Sequence, residues 1–222
     1  STFKPINKIK LTGWKNYLAF IFCFVPLFIG FFLPILEILN WAINYTSESF
    51  FSNNFLSSFF NTIFLGLLAG IICTSFAFLF NFLKRFERGT FLKTISFVLS
   101  LGYAIPGLVL AVGIIQFFSM LDNNFLRSFL DFVLTGSILG LLLAYVVKAY
   151  ALANNSIESG FQRIDSAIDD ISLSLGTNKT KMFFKVHFPL MKTSILTSLI
   201  LVISEIIKEL PATLILRPFN FD

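Results

Sequence analysis

Residues 55–83 read FLSSFFNTIFLGLLAGIICTSFAFLFNFL. No charged side chain falls in this run, and the charge-free stretch reaches back to Ser49. A helix needs about 20 mostly apolar residues to cross the hydrocarbon core of a bilayer. The segment is therefore predicted to be a transmembrane helix, and it makes the chain a membrane protein. Composition agrees. Of 222 residues, 56% are hydrophobic and 13% charged, and Phe alone contributes 31. A soluble domain carries about a quarter charged residues, so these figures exclude an ordinary soluble globule, and they exclude disorder on the same ground.

Four more spans surround the first. Asn16 to Leu36 is free of charge and reads as a helix that extends toward Ile43, with Pro26 and Pro34 tolerated as kinks. Its run is too long for a signal peptide and no small-residue cleavage site follows it before Trp41. Thr94 to Leu121 is a third helix, and Gly102 and the pair Pro106-Gly107 predict a kink or break near its middle. Phe132 to Val147 is a fourth and continues past Lys148. The fifth begins near Leu190 and must run through Glu205, Lys208 and Glu209 to about Leu216 to be long enough. Gly66 with Gly70, and Gly136 with Gly140, have the four-residue spacing of close helix packing, read here as intramolecular. Cys23 and Cys73 lie in apolar runs and act as small hydrophobes.

The basic residues set the orientation. Residues 1–15 carry four, 84–93 carry four and 148–192 carry six, while 37–54 carries none and 122–131 only Arg127. Fourteen of the 17 thus fall on one side, which the positive-inside rule places in the cytoplasm. The N-terminus and loops 84–93 and 148–192 are then cytoplasmic, in a multi-pass protein of the cell inner (plasma) membrane. The net charge of +5 follows from orientation and gives no reason to expect nucleic acid as a partner.

Residues 148–192 form the one long hydrophilic region. Ile164, Ile168, Ile171 and Leu175 recur with helical spacing and predict one apolar face of a short helix. Asp165 is placed to cap that helix, and Asp169 and Asp170 suit its N-terminal dipole. Gly176 is a stop signal. A second helical piece follows near Asn178 to Val186, and Pro189 marks the entry to the fifth span. An amphipathic hairpin resting on lipid headgroups would have the same composition. His187, the one histidine, has no second His or Cys near it in sequence and reads as structural.

The run Asp170-Ile171-Ser172, three residues, Gly176, nine residues, Val186-His187-Phe188-Pro189 resembles the E-A-A, three residues, G, nine residues, I-x-L-P signature of ABC-importer permeases. Gly176 and Pro189 match by identity and Asp170 stands for Glu, whereas Ile171, Ser172 and Phe188 depart from the pattern. Residues 101–113 (LGYAIPGLVLAVG) and 208–219 (KELPATLILRPF) look like segments of ferric-iron permeases, and Leu11-Thr-Gly-Trp14 looks like the start of their second half. The resemblance implies an all-α polytopic membrane protein with the type I ABC importer fold, five helices present and a sixth missing. It implies an N-terminal segment, first helix and outer loop over 1–54. A permease core follows over 55–222, with a coupling loop over 160–189. Asp169, Asp170, Ile171, Ser172, Gly176, Val186, Phe188 and Pro189 would then face or shape the ATPase-coupling loop.

The same resemblance implies the partners. These are cytoplasmic ABC ATPase subunits, a second permease half or subunit, a periplasmic or extracellular substrate-binding protein, and the lipid bilayer. No cofactor is expected on this chain. ATP and magnesium would sit on the partner ATPase, and no G-x-x-x-x-G-K-[ST] loop is present here. Ferric iron is the expected cargo, with thiamine, phosphonate, polyamine or sulfate as alternatives within the same superfamily. An intramembrane enzyme lacks a nucleophile with its base, and an ion-coupled secondary transporter would be expected to show inverted repeats.

Glu205, Lys208 and Glu209 are spaced i, i+3, i+4 and are expected to share one helix face. Ionisable groups at membrane depth are costly unless paired or facing water. The three are candidates for the translocation pathway, with Glu205 and Glu209 as transient contacts for a hard cation and no firm metal site. Pairing of Glu205 with Lys208, or an internal lock to a neighbouring helix, is the alternative. The five spans, with the start at Ser1 and the end at Asp222, lead us to expect most of one permease half rather than a whole permease.

Overall fold

A computed structural model describes residues 12–45, 53–86, 89–122 and 134–218. Every regular element among them is helical. Two compact units are distinguished, Ser1–Phe55 and Leu56–Asp222.

In the first unit, α1 (Trp14–Leu27) and α2 (Leu33–Tyr45) form one continuous helix joined by a π turn at Phe28–Phe32. Pro34 cannot donate to the carbonyl one turn back, and the widened turn lies directly before it, where its ring would clash. None of the apolar side chains of Trp14–Asn44 is buried within the chain. A helix that is apolar throughout and unburied is suited to lipid or to a partner helix.

The second unit is built round α6. Its helices are α3 (Asn53–Phe86), α4 (Thr90–Ser100), α5 (Gly107–Leu121), α6 (Ile138–Phe161), α7 (Ala167–Ser174), α8 (Lys179–Met182), α9 (Phe188–Leu190), α10 (Lys192–Lys208) and α11 (Leu210–Leu216). A 3₁₀ turn, Leu101–Ala104, follows α4, and a π turn, Phe183–His187, joins α8 to α9. Helix α6 packs against α4, α5, α10 and α11. It does so through small residues, with Ala144, Ala149 and Ala153 essentially inaccessible. Close approach of backbones replaces the hydrophobic effect as the source of packing energy between membrane helices. Gly66 and Gly70 of α3 meet Ile203 and Leu199 of α10, so that glycine pair packs within the chain. Gly140 packs on Phe118, but Gly136, at φ 80°, lies in the turn before α6 and is not a helical packing residue.

Three helices, Trp14–Asn44, Phe55–Phe86 and Ile138–Phe161, are long and apolar enough to cross a membrane singly. Two bent helix pairs also meet that test of length and composition when taken together. Thr90–Ala104 and Gly107–Leu121 meet at 115°, and Lys179–Leu190 and Lys192–Lys208 meet at 74°. The total is five if each bent pair is one crossing. The third span is thus two legs and not a gently kinked rod, because Pro106 can neither donate to the preceding turn nor let Ile105 stay helical.

The fourth span differs more from expectation. It begins at Ile138 and runs to Phe161, so residues 148–161 belong to a membrane helix and the hydrophilic loop starts only at Gln162. Within that stretch Asn154 is 5% exposed and bonded to Asn81 and Ser96. The polarity faces the bundle and is satisfied there.

Gly102 lies against the backbone carbonyl and side chain of Val147 where the 3₁₀ turn crosses α6, and an added Cβ would collide with backbone. Gly102→Ala should therefore lower stability by about 2 kcal/mol, measured as the thermal midpoint of the purified protein in detergent. An unchanged midpoint would contradict this crossing.

Candidate functional site

Residues 165–190 form a hairpin of two short helical pieces. Asp165 Oδ1 accepts the Ala167 N–H at 3.0 Å and starts α7. Gly176, at φ 75°, ends it. The Thr177 N–H bonds the Ser172 carbonyl at 3.1 Å and the Gly176 N–H bonds the Leu173 carbonyl at 2.9 Å. That paired pattern requires a left-handed residue, which glycine adopts without strain. Asn178 Oδ1 then accepts the Lys181 N–H at 2.8 Å and starts α8.

The face that α7 buries is not the apolar one. Asp169 and Ser172 are buried, whereas Ile171 is 59% and Leu175 79% exposed. Ile164 and Ile168 are half-buried. The periodicity of the isoleucines thus marks an apolar stripe, and that stripe is the more exposed side of α7. An ion pair decides the orientation. Arg85, at the end of α3, reaches Asp169 Oδ2 through Nε at 2.7 Å and Nη2 at 2.6 Å. Its Nη1 also donates to the carbonyls of Phe161 and Ile164, at 3.1 and 3.2 Å. His187 Nε2 meets Asp169 Oδ1 at 2.7 Å. Asp169 and Arg85 together therefore tie the end of α3 and the end of α6 to the hairpin and the turn before α10.

His187 is fully buried, with Phe82 and Phe161 at ring distances of 5.3 and 5.5 Å. Burial pushes its imidazole below the ordinary value, against the pull of Asp169, and Arg85 adds to the lowering. Geometry agrees, since Nδ1 is buried without a hydrogen-bond partner. In the neutral ring Nδ1 is a bare acceptor, whereas protonation would add a buried, unpartnered N–H.

Of the remaining predicted loop residues, Asp170, Ile171 and Gly176 lie on the exposed side of α7, and Phe188 and Pro189 are also exposed. Val186 is half-buried. Ser172 Oγ donates to the Ile168 carbonyl at 2.7 Å.

The second predicted cluster is split. Glu205 and Lys208 form an ion pair at 3.1 Å, with Lys208 largely exposed. Glu209 does not share their face. Helix α10 ends at Lys208, because Pro211 cannot donate to the Ile207 carbonyl, and Glu209 leaves helical geometry at ψ 79°. Its carboxylate turns inward onto Gly107, at the start of α5, where there is no room for a Cβ. Glu209 Oε2 lies 3.7 Å from Lys148 Nζ, which donates to the Ile105 carbonyl at 3.1 Å. Glu209 Oε1 is buried without a partner. Two helix breaks, at Ile105–Gly107 and at Glu209, thus meet at one lysine of the central helix. Nearby, Tyr145 Oη and Thr213 Oγ1 lie 2.7 Å apart, and Thr213 Oγ1 donates to the Glu209 carbonyl.

Arg85 and Lys148 are the functional candidates that sequence reasoning missed. Both were read as markers of orientation, and no local spacing links them to Asp169 or Glu209. Among the described residues no three His, Cys, Asp or Glu side chains gather in a metal-binding group.

Residues 66–217 match the family described as "Binding-protein-dependent transport system inner membrane component". The chain is 29% identical over 155 residues to the molybdate/tungstate transport system permease protein WtpB of Methanocaldococcus jannaschii, covering 68% of this chain and 61% of that protein. It is 26% identical over 114 residues to the Fe(3+)-transport system permease protein FbpB 2 of Haemophilus influenzae, covering 51% of this chain and 21% of that protein. The ferric transport system permease protein FbpB of Actinobacillus pleuropneumoniae is 26% identical over 108 residues, covering 49% and 14%. The chain therefore spans about three-fifths of the first relative and much less of the other two.

Asp169→Asn should cost about 3 kcal/mol, because Arg85 is left buried without its charge partner. Asp170→Asn, one residue away and exposed, should stay within about 0.5 kcal/mol. Thermal melts of the two variants in detergent check the contrast, and equal losses would contradict it. The lowered imidazole gives a sign for pH. The folded state binds the proton less readily than the unfolded chain, whose histidine titrates near about 6.5. The contribution is complete above that value and is lost as pH falls through it toward the lower folded value. Melting points followed from pH 7.5 to 5.5 should fall more for the parent than for His187→Gln, which keeps an N–H at the Nε2 position and does not titrate. Parallel curves would contradict the assignment.

Proposed function

Because the chain belongs to the family of binding-protein-dependent transport system inner membrane components, matched over residues 66–217, we propose that it forms the translocation pathway of an ATP-driven importer. In this reading the hairpin 165–189 docks on a cytoplasmic ATPase subunit. A second permease half completes the pathway, and an external binding protein delivers the cargo. ATP binding and hydrolysis on the partner switch the pathway between outward and inward openings, and this chain hydrolyses nothing.

One observation carries the reading. The hairpin presents Ile171 and Leu175 outward while Asp169, through Arg85, fixes its inner face to the ends of α3 and α6. A short helix held by a buried ion pair, with its apolar stripe left open, is built to receive a partner and pass on its displacement. The glycine-to-proline spacing of Gly176 and Pro189 supports the same use. The distribution of basic residues supports a cytoplasmic position for this face.

The cargo we propose is an inorganic ion. Ferric iron is the first reading, supported by residues 101–113 and 208–219 and by two relatives named for ferric transport. An oxyanion of the molybdate or tungstate type is the second, favoured by the relative that matches the larger share of the chain. The meeting of Glu209 with Lys148 at the two helix breaks is where we place the pathway's charged constriction.

Two experiments test these proposals. Ile171→Asp with Leu175→Asp should reduce co-purification of an ATP-hydrolysing subunit at least tenfold while leaving the permease's own melting point within a few degrees; undiminished capture would overturn the docking face. Glu209→Gln should lower cellular uptake of ⁵⁵Fe or ¹⁸⁵W at least tenfold at normal protein level. Which isotope accumulates in the parent strain decides the cargo, and unchanged uptake in the variant would remove Glu209 from the pathway.

A further inference from the structure

We propose that the cavity enclosed by α3, α4 and α6, beside the coupling hairpin, binds a phosphate-type anion, either the headgroup of an acidic phospholipid or free phosphate. The proposal does not depend on the transport reading. The cavity measures about 580 Å³, and its lining includes Lys84, Arg85, Lys93, Ser96, Asn154 and Glu158.

The reason lies at its floor. Asn81, Ser96 and Asn154 are each at most 5% exposed and bond to one another. Asn81 Nδ2 donates to Asn154 Oδ1 at 2.9 Å and Ser96 Oγ donates to the same oxygen at 3.2 Å. Into this neutral network the half-buried Lys84 extends its ammonium, 2.8 Å from Ser96 Oγ and 3.5 Å from Asn81 Oδ1. It forms no ion pair with any described carboxylate. A cation withdrawn from water beside neutral oxygens alone is left uncompensated, and a bound anion would remove that cost. Arg85 is neutralised by Asp169. Setting Lys84, Arg85 and Lys93 against Glu158 and Asp169 leaves one net positive charge on the cavity.

The walls supply what an oxyanion needs besides charge. Asn155 and Gln162 line the cavity with side-chain amides that have no hydrogen-bond partner among the described residues. Lys93 is exposed on the same lining and has no ion pair among those residues. Phe97, 65% exposed, forms an apolar wall, and Phe91 and Val98 of the same helix are exposed as well. Charged donors beside open apolar surface at one end of a helix bundle match a lipid headgroup with its acyl chains, whereas the donors alone suffice for free phosphate.

The full chain, purified in detergent, provides the test. In the first arm it is reconstituted into nanodiscs of equal phosphatidylglycerol and phosphatidylcholine, and retained lipid is counted by native mass spectrometry. In the second arm the delipidated protein is dialysed against ³³P-labelled inorganic phosphate. If the ligand is a headgroup, phosphatidylglycerol is retained at least fivefold over phosphatidylcholine. If it is a free anion, phosphate binds without that lipid preference. In the arm that responds, Lys84→Gln should reduce binding at least fivefold and Lys84→Arg should restore most of it. Lys93→Gln, at an exposed position that spares folding, should halve binding and decides the matter if Lys84→Gln does not give monodisperse protein. Binding in neither arm overturns the proposal. So does a loss in the Lys179→Gln/Lys181→Gln variant as large as that in Lys84→Gln, since it would reduce the effect to general surface charge.

Discussion

The Arg85–Asp169 ion pair, extended to His187, is the constraint on which the basic end of the bundle depends. Each of its three residues comes from a different place in the chain, at the end of α3, within α7 and in the turn before α10. None is costly to hold there while the set is complete, since Asp169 accepts from both sides and Arg85 spends its remaining donors on carbonyls freed at the end of α6. Taken singly each would be a buried, unmatched polar group. The pair therefore fixes which side of α7 faces the protein, and in doing so leaves the apolar stripe of that helix uncovered.

A comparable exchange operates deeper in the bundle. Pro106 and Pro211 each deny their helix a backbone donor, and the chain breaks at Ile105–Gly107 and at Glu209. The Ile105 carbonyl freed by the first break is taken by Lys148, and the same ammonium lies beside the carboxylate turned inward by the second. Broken helices are tolerated at membrane depth where neighbouring groups satisfy the backbone again. Here one lysine of the central helix serves both breaks.

What the sequence disclosed follows from range. Charge-free runs, prolines and basic loops are local or nearly so, and they gave the all-helical membrane fold, the break at Pro106-Gly107 and the hairpin from Asp165 to Pro189. The Schellman turn at Gly176 was legible because one residue's φ carries it. The side of α7 that is buried was not, because it depends on Arg85, more than 80 residues earlier. The true extent of α6 was hidden for a similar reason. The partners that hold Asn154 inside, Asn81 and Ser96, lie 73 and 58 residues away in sequence. The shared face expected for Glu205, Lys208 and Glu209 fails for a local reason, since Pro211 ends the helix before Glu209.

The two anchors are joined by a single rigid element. Helix α6 carries Lys148 in its middle and the Phe161 carbonyl, held by Arg85, at its end. Thirteen residues separate them, about 20 Å at 1.5 Å per residue, and the small side chains between them pack too closely against α10 and the 3₁₀ turn to shear freely. A displacement of α7 must either break the ion pair or carry the end of α6 with it. Breaking it strands a buried charge, so movement of α6 is the less costly response. Lys148 then shifts relative to Ile105 and Glu209, where the helices are already discontinuous and offer the least resistance. The buried pair at the surface and the breaks within the bundle are thus complementary, one resisting deformation and the other localising it.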